Sequence, residues 1–434
     1  MSKSKFTIVL LVVMMVLGSV SMVSAQEATE LTYWTFVDGF ADFWTSQADR
    51  WNAENPDRPI ELNPTIIPWD DMHRNLLAAL LVGSGAPDIV DIEINRFATF
   101  VKGDIHLIDM TETVDSYRDQ LVETRLAPWQ WQGAQYGVDY HLGAYLMFYN
   151  REVMEAAGVD PDSIVTWDDY IEAGKKVTRD TDGDGEIDVW MTPLETGSEH
   201  VARGVYLMMG GGIYNEAGDF ILNSPENVEA FQFLQDLIQV HGIAAIAPGT
   251  HVHAPEFYQA MPTGQFASIW MPQWYWTRFR DNMEGMEGKM IPRPMPIFEE
   301  GGYTSAMGGG TTTVATDQIP DDELQLATDF IAFGKLTYEG GVQIATVIGV
   351  DPIRPDVYED PALQEPNEFL SNEPMWDIIR SELGNVAPEY TGPLFPEARD
   401  AIATSVLFEV LENGGSPADA LANAEAQVMV SEGS

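Results

Sequence analysis

The sequence predicts an α/β protein built as two lobes, and three observations predict it. Between Glu30 and Ile92, apolar runs and amphipathic segments alternate as strand, helix, strand, helix, strand, the order of a parallel sheet wound with helices. The stretch Gly137–Asn150, GVDYHLGAYLMFYN, changes character halfway: its first part is short, polar and Gly-rich, whereas Ala144–Tyr149 is a continuous apolar run that reads as a strand buried on both faces. A polar segment feeding a central strand is how a chain crosses from one α/β lobe to another, so Asp139, Tyr140 and His141 are expected on the floor of an interlobe cleft, where small ligands bind. Third, 434 residues at roughly 150 per domain give two or three domains, and a 45% hydrophobic composition fills ordinary cores.

The elements follow in order. Lys3 and Lys5, the apolar stretch Phe6–Val20 and Val23-Ser24-Ala25 form the pattern of a secretory signal peptide, residues 1–25, with cleavage expected after Ala25. The apolar run is shorter than the ~20 residues of a membrane span. No cysteine is present, so packing alone must stabilise an exported chain, with no disulfide and no lipid anchor on a cysteine after the leader. Glu30–Thr35 is a first strand, and a helix over Phe40–Asn55 carries apolar Phe40, Phe43, Trp44, Ala48 and Trp51. Asn55-Pro56-Asp57 ends it, Ile60–Ile67 is the second strand, and an Asp of Pro68-Trp69-Asp70-Asp71 caps a helix over Met72–Val82. Gly83-Ser84-Gly85 stops that helix, and Asp88–Ile92 is the third strand.

The order of Glu54-Asn55-Pro56, Pro68-Trp69-Asp70-Asp71 and GSGAPDIV from Gly83 resembles the extracellular solute-binding proteins of ABC sugar importers, the family that includes maltose-binding protein. The likeness continues through GVDYHLGAYLMFYNREVMEAAGV, the TWDDYIEAGKKVT helix from Thr166, the Gly210–Tyr214 turn, GQFASIWMPQWYW over Gly264–Trp276, Pro294–Pro296, Gly308–Gly310 and a C-terminal helix around Ala418–Val428. Order and spacing together carry it. The resemblance implies the type II periplasmic-binding-protein fold: discontinuous α/β lobes joined by hinge crossovers and closing on a sugar. It places crossovers at Gly137–His141, about Met290–Pro296 and about Gly349–Pro355. Lobe 1 is then residues 26–138 plus 297–352 and lobe 2 residues 139–296 plus 353–434. IPRPMPIF and VDPIRPD, apolar but punctuated by Pro, also read as extended connectors.

Composition excludes several partners. Loss of Lys3 and Lys5 with the leader takes the formal charge from −46 to −48, far too negative for nucleic acid or an anionic membrane surface. Twelve Trp, 15 Tyr and 19 Phe leave aromatics beyond core needs, and in a polar exported protein these suit stacking on flat ligand faces.

Site residues follow from the resemblance and from edge positions. In Trp270-Met271-Pro272-Gln273-Trp274-Tyr275-Trp276, the Trp after the Pro turn matches a sugar-stacking motif; that residue is Trp274, while Trp270 reads as core. Glu93, Asn95 and Arg96 follow the third strand at the edge where open α/β sheets bind ligands. Asn95 and Arg96 stand where the maltose-binding pattern has an acid and an arginine, but Ile92 replaces its stacking Trp, which leaves a maltodextrin preference unsupported. Asp38 and Asp139 are further carboxylates able to accept hydroxyl protons. His141, Trp276, Gly309 and Phe395 complete the expected ligand neighbours.

Asp180, Asp182, Asp184 and Asp188 occupy positions 1, 3, 5 and 9 of a calcium loop, with Gly185 at position 6 and Met191 where an EF-hand has its bidentate Glu at position 12. The loop reads either as a structural calcium site or as an Asp-rich turn. No other cofactor is implied. His251 and His253 form a tight pair without a third ligand, and no HExxH, GxSxG or phosphate loop is present. The expected function is therefore a monomeric receptor that traps a carbohydrate, whether sugar, oligosaccharide or polyol, and delivers it to an ABC permease. The alternative is a secreted carbohydrase using Glu93 and Asp139 as acid and base.

Overall fold

The computed structural model describes residues 27–432, so the leader and its cleavage site lie outside the described residues. Two sheets frame the molecule. The chain forms β1 (Thr29–Thr35), α1 (Asp38–Glu54), β2 (Ile60–Ile66), α2 (Trp69–Val82), β3 (Ile89–Glu93), α3 (Ile94–Phe100) and the short β4 (Val138–Asp139). It then builds a second, antiparallel sheet with β5 (Tyr145–Asn150) between β6 (Ser268–Pro272) and β7 (Met290–Arg293), and returns as β8 (Thr311–Ala315). Of the later helices, three bear on the site: α4 (His200–Met208), α5 (Leu324–Lys335) and α6 (Phe395–Ala401). The first sheet has the order β2-β1-β3-β8-β4. There β1 is parallel to β2 and β3, and β8 runs antiparallel to β3, pairing Thr311 with Glu93, and to β4, pairing Thr312 with Asp139.

Local sequence explains these elements. In β1, Leu31, Tyr33 and Thr35 alternate inward and are fully buried. Every residue of β5 is buried, as a central strand with covered faces requires. The buried side of α1 is the stripe of Phe40, Phe43, Trp44, Ala48 and Trp51 that its period lays on one face. The start of α2 differs from expectation. It begins at Trp69 with Pro68 in the cap position, so Asp70 and Asp71 sit in the first turn, where they complement the helix dipole without capping it.

The middle crossover is also placed differently from the sequence reading. Met290–Arg293 is an edge strand, paired from Met290 to Asn150 through Arg293 to Met147, and Pro292 is tolerated there because an edge strand spares one N–H. The following residues stay with the second sheet: Phe298 stacks on Trp167 at 5.3 Å, and Ser305-Ala306 pairs with Val386-Ala387. The chain crosses back at Gly308–Gly310. A Cβ on Gly308 would lie 2.3 Å from Pro272 and 2.4 Å from Tyr145, so the close approach requires glycine. The first crossover likewise begins after Asp139, which is still paired in the first sheet.

Three crossovers run side by side and are tied together. The N–H of Leu142 donates to the Asp351 carbonyl and that of Gly308 to the Gly143 carbonyl, each at 2.8 Å. The Asp351 carboxylate accepts the N–H groups of Gly143 at 3.1 Å and Ala144 at 2.8 Å. Inside the first core, Asp91 accepts hydroxyl protons from Tyr33, Thr35, Tyr140 and Thr313. Lys335, at the end of α5, donates to the Val138 carbonyl at 2.8 Å with its Nζ 3.2 Å from the centre of the Tyr140 ring. Burial pushes this amine down to about 7. No helix among the described residues is long and apolar enough to cross a membrane.

Gly334 tests the packing of the first core. A Cβ there would stand 2.4 Å from the ring of Trp44, which is 1% exposed and donates its indole N–H to Tyr140. The indole cannot retreat, so Gly334→Ala is expected to lower the unfolding free energy by about 1–3 kcal/mol in urea titration. Gly384→Ala, with nothing within 4 Å, is expected to stay within about 0.5 kcal/mol of the parent.

Candidate functional site

The cleft floor is built around a buried guanidinium. Arg125 donates Nε–H to the His141 carbonyl at 2.9 Å and an Nη2 proton to the Gly309 carbonyl, and its Nη2 lies 2.8 Å from Asp139 Oδ2. Asp139 also accepts from Trp129 Nε1 at 3.1 Å and from the N–H groups of His141 and Thr311 at 3.2 Å. With four donors on it and no exposure, Asp139 has no lone pair for a ligand. The expectation for Asp139 is therefore corrected: it organises the hinge. His141 is 5% exposed, its Nδ1 makes no hydrogen bond and lies 3.9 Å from Asp351, and burial pushes its imidazole down to about 4.

The wall contributed by the first sheet lies at the C-terminal ends of its parallel strands. Phe36 follows β1, Trp69 follows β2 and Glu93 ends β3, all partly exposed. Glu93 caps α3, accepting the Asn95 backbone N–H at 2.9 Å and its Nδ2–H at 2.8 Å, and burial pushes its carboxyl up to about 7 although Arg399 and Arg203 pull it down. Arg96 covers the Trp69 ring at 4.5 Å and pairs with Asp70 at 3.1 Å. His73 fixes both Trp69 and Glu93, since its ring donates to the Trp69 carbonyl at 2.7 Å and accepts the Glu93 N–H at 3.1 Å. Asp38 is exposed in the first turn of α1.

The facing wall centres on Trp274. Its Nε1–H donates to the Gly308 carbonyl at 3.1 Å, and Gly309, at φ +73°, leaves room beside the indole, since a Cβ there would be 3.5 Å from Nε1. His253 stacks on the indole at 5.8 Å and 19°, and His200 meets its edge at 6.0 Å and 79°. At the base of this wall, the buried Glu199 binds Arg203 of α4 at 2.9 Å and Arg399 of α6 at 2.6 Å. Burial opposes the charge of Glu199, yet the two guanidinium groups hold its carboxyl down to about 2. Arg203 reaches across to Asn95 Oδ1 at 3.1 Å, which joins the two walls.

Two expected ligand residues lie elsewhere. Trp276 is 8% exposed, with its Nε1–H donated to the Gly349 carbonyl at 2.9 Å and its ring between Phe369 and Arg280. Helical rotation after Pro272 turns Trp274 to the cleft and Trp276 into the hinge. Phe395 is fully buried in the second core. Phe36, Trp69, His200, Glu199, Arg203 and Arg399 escaped the sequence reading, and His253 entered it only as half of a histidine pair. Trp69 had a signal, since it follows a strand at the ligand-binding edge, whereas nothing local marks the others. In the acidic loop, Asp180, Asp182 and Asp188 bring carboxylate oxygens within 4.8 Å of one another. Asp184 is not of that group, its carboxylate being turned to the Glu186 N–H at 2.8 Å, and Met191 is buried in the core.

Fold and cleft define a two-lobe receptor whose walls offer aromatic faces and hydroxyl-binding groups. Residues 36–335 match the family model described as bacterial extracellular solute-binding protein. The chain is 40% identical over 407 residues to the arabinooligosaccharide-binding protein of Halalkalibacterium halodurans, covering 92% of this chain and 89% of the relative. It is 38% identical to the arabinooligosaccharide-binding protein of Bacillus subtilis, covering 94% of this chain and 95% of the relative. An ABC-transporter-associated binding protein from B. animalis subsp. lactis, solved with β-1,6-galactobiose, superposes with a TM-score of 0.72 at 21% identity, over 93% of this chain and 97% of that one. The chain belongs to the bacterial extracellular solute-binding proteins, in the group that serves carbohydrate ABC importers. It is a carbohydrate receptor for an ABC permease and not an enzyme, so the carbohydrase reading falls.

The two neighbouring indoles separate recognition from packing. Trp274→Ala is expected to weaken sugar binding about ten- to a hundredfold, the effect of losing roughly 1.5–3 kcal/mol of apolar contact, with a small change in melting temperature. Trp276→Ala is expected to lower stability by about 3–5 kcal/mol and leave the affinity of the folded fraction unchanged. Calorimetric titration and urea unfolding of both variants check the pair.

Proposed function

We propose that this receptor captures arabinooligosaccharides and releases them to a membrane permease. The observation that carries this reading is the near-full-length match to two arabinooligosaccharide-binding proteins at 40% and 38% identity. The cleft supports it physically. Trp274 on one wall and Trp69 on the other offer flat apolar surfaces to sugar ring faces, while Glu93 and Arg96 stand at the edge to meet hydroxyls. An oligomer long enough to touch both indoles gains from both, so a monosaccharide should bind more weakly. The receptor works as a monomer, exported by the leader with cleavage after Ala25 and without a lipid anchor. The three converging carboxylates of Asp180, Asp182 and Asp188 fit a hard cation, and calcium there would close the turn without touching the sugar.

Thermal melting against a panel of sugars tests the ligand. Arabinotriose at about a hundred times its dissociation constant is expected to add ~2.7 kcal/mol of stability, and arabinose or maltotriose at the same concentration far less. A preference for maltotriose would overturn the reading. For the acidic loop, chelator is expected to lower the melting temperature of the parent protein and leave Asp182→Ala unmoved, with arabinotriose affinity equal in both. An unchanged parent melting curve would make the loop a turn only.

A further inference from the structure

Glu195 is a buried acid behind the Trp274 wall. It follows the strand Thr192–Leu194, which pairs in parallel with Ala244–Ile246, and it is 1% exposed. Its two carboxylate oxygens serve two different chain segments: Oε2 accepts the Val201 N–H at 2.9 Å, in the first turn of α4, and Oε1 accepts the Val252 N–H at 3.0 Å. Each of those residues adjoins an imidazole on Trp274. His200 precedes Val201, and His253 follows Val252.

The rest of the geometry converges on the same point. The N–H groups of Thr196 and Gly197 donate to the Thr250 carbonyl at 2.9 and 3.0 Å, so the two segments are tied at their base. Thr250 itself holds φ +69°, a conformation costly for a β-branched residue and kept only where surroundings impose it. The Val252 carbonyl accepts the Tyr275 hydroxyl, and the Tyr275 ring meets His253 edge-on at 5.2 Å. His200 is fixed by Ser198 Oγ at 2.5 Å from its Nδ1 and lies 5.2 Å from His253. One carboxylate thus anchors the backbone beside both imidazoles that frame the indole.

We propose that Glu195 is the positioning residue of the Trp274 wall, holding the two segments that set His200 and His253 against the indole and so fixing the face offered to the sugar. The proposal rests on the reading of Trp274 as the sugar platform. A carboxyl is the group the geometry needs, because each oxygen keeps a lone pair for an N–H both when ionised and when protonated, burial having pushed it up to about 7. Glutamine would accept from one N–H and oppose the other with its own NH2, donor against donor, releasing one segment. An imidazole freed from this wall gains water, which favours its protonated form.

The test uses Glu195→Gln and the full chain. Histidine Cε1–H resonances of the ligand-free protein are followed by NMR against pH, with His200 and His253 assigned through His200→Gln and His253→Gln. In the parent, His200 is expected to protonate only near pH 4, since burial pushes it down to about 4, and burial also holds His253 well below its ordinary value. In Glu195→Gln at least one of the two is expected to titrate more than one pH unit higher, while the first-lobe amide resonances coincide in the two proteins. Arabinotriose affinity should fall about tenfold. Unmoved titration of His200 and His253 in folded Glu195→Gln overturns the proposal, and so do moved imidazoles with parental affinity. Should Glu195→Gln not fold, Glu195→Asp, which keeps the charge but shortens its reach, is read by the same titration and the same two outcomes. If the parent binds no arabinotriose, the functional reading fails, and the imidazole titration, which needs no ligand, still decides the role of Glu195.

Discussion

The first two crossovers between the lobes depend on the buried pair of Arg125 and Asp139. The guanidinium holds the first crossover at the His141 carbonyl and the second at the Gly309 carbonyl, while its carboxylate partner receives the N–H groups of His141 and Thr311 from those same crossovers. A charge in such a place is tolerable only when paired and hydrogen-bonded, and removing one partner from a buried pair costs about 3–5 kcal/mol. Asp351, on the third crossover, completes the arrangement by capturing the N–H groups of Gly143 and Ala144. The hinge is therefore a compact polar knot, and Gly310 must lack a Cβ because one would sit 2.3 Å from Arg125.

This knot places the cleft walls. The carbonyls of Gly308 and Gly309 serve different partners, one Trp274 and the other Arg125, so the Trp274 indole is registered to the same backbone that carries the hinge. Across the opening, Asn95 and Arg203 join the lobes, and Glu199 with its two arginines keeps the base of the second wall charged yet internally neutralised. Around the indole, His200 and His253 are held uncharged by burial, which suits a neutral polyhydroxylated ligand. Of the acids around the cleft, Glu93, Asp139 and Glu199 have partners of their own.

Residue by residue, the sequence was readable wherever an interaction was local. The alternation of β1, the stripe on α1, and the uniformly apolar β5 each follow from period and composition. Met290–Arg293 misled because proline marks edge strands and connectors alike, and only the hydrogen bonds to β5 separate the two. Asp139 and His141 were placed at the right depth, but Asp139 is taken up by the hinge and not free for a ligand. Their position at a crossover is local information, whereas the arrival of Arg125, Trp129 and Asp351 around them is not.

The chain alone decided the α/β class, the two-lobe plan and the family, because these are written in hydrophobic period, turn residues and the order of motifs. Tertiary structure decided which indole stands in the cleft and which is packed, which acids are already satisfied, and where the middle crossover lies. Trp274 and Trp276 are chemically equal and two residues apart; helical rotation gives one to the cleft and the other to the Gly349 carbonyl. Glu195, His200 and His253 are scattered in sequence, and their joint arrangement around one indole exists only after distant loops have been brought together, since a hydrogen bond or a stacked ring depends on proximity that sequence spacing does not encode.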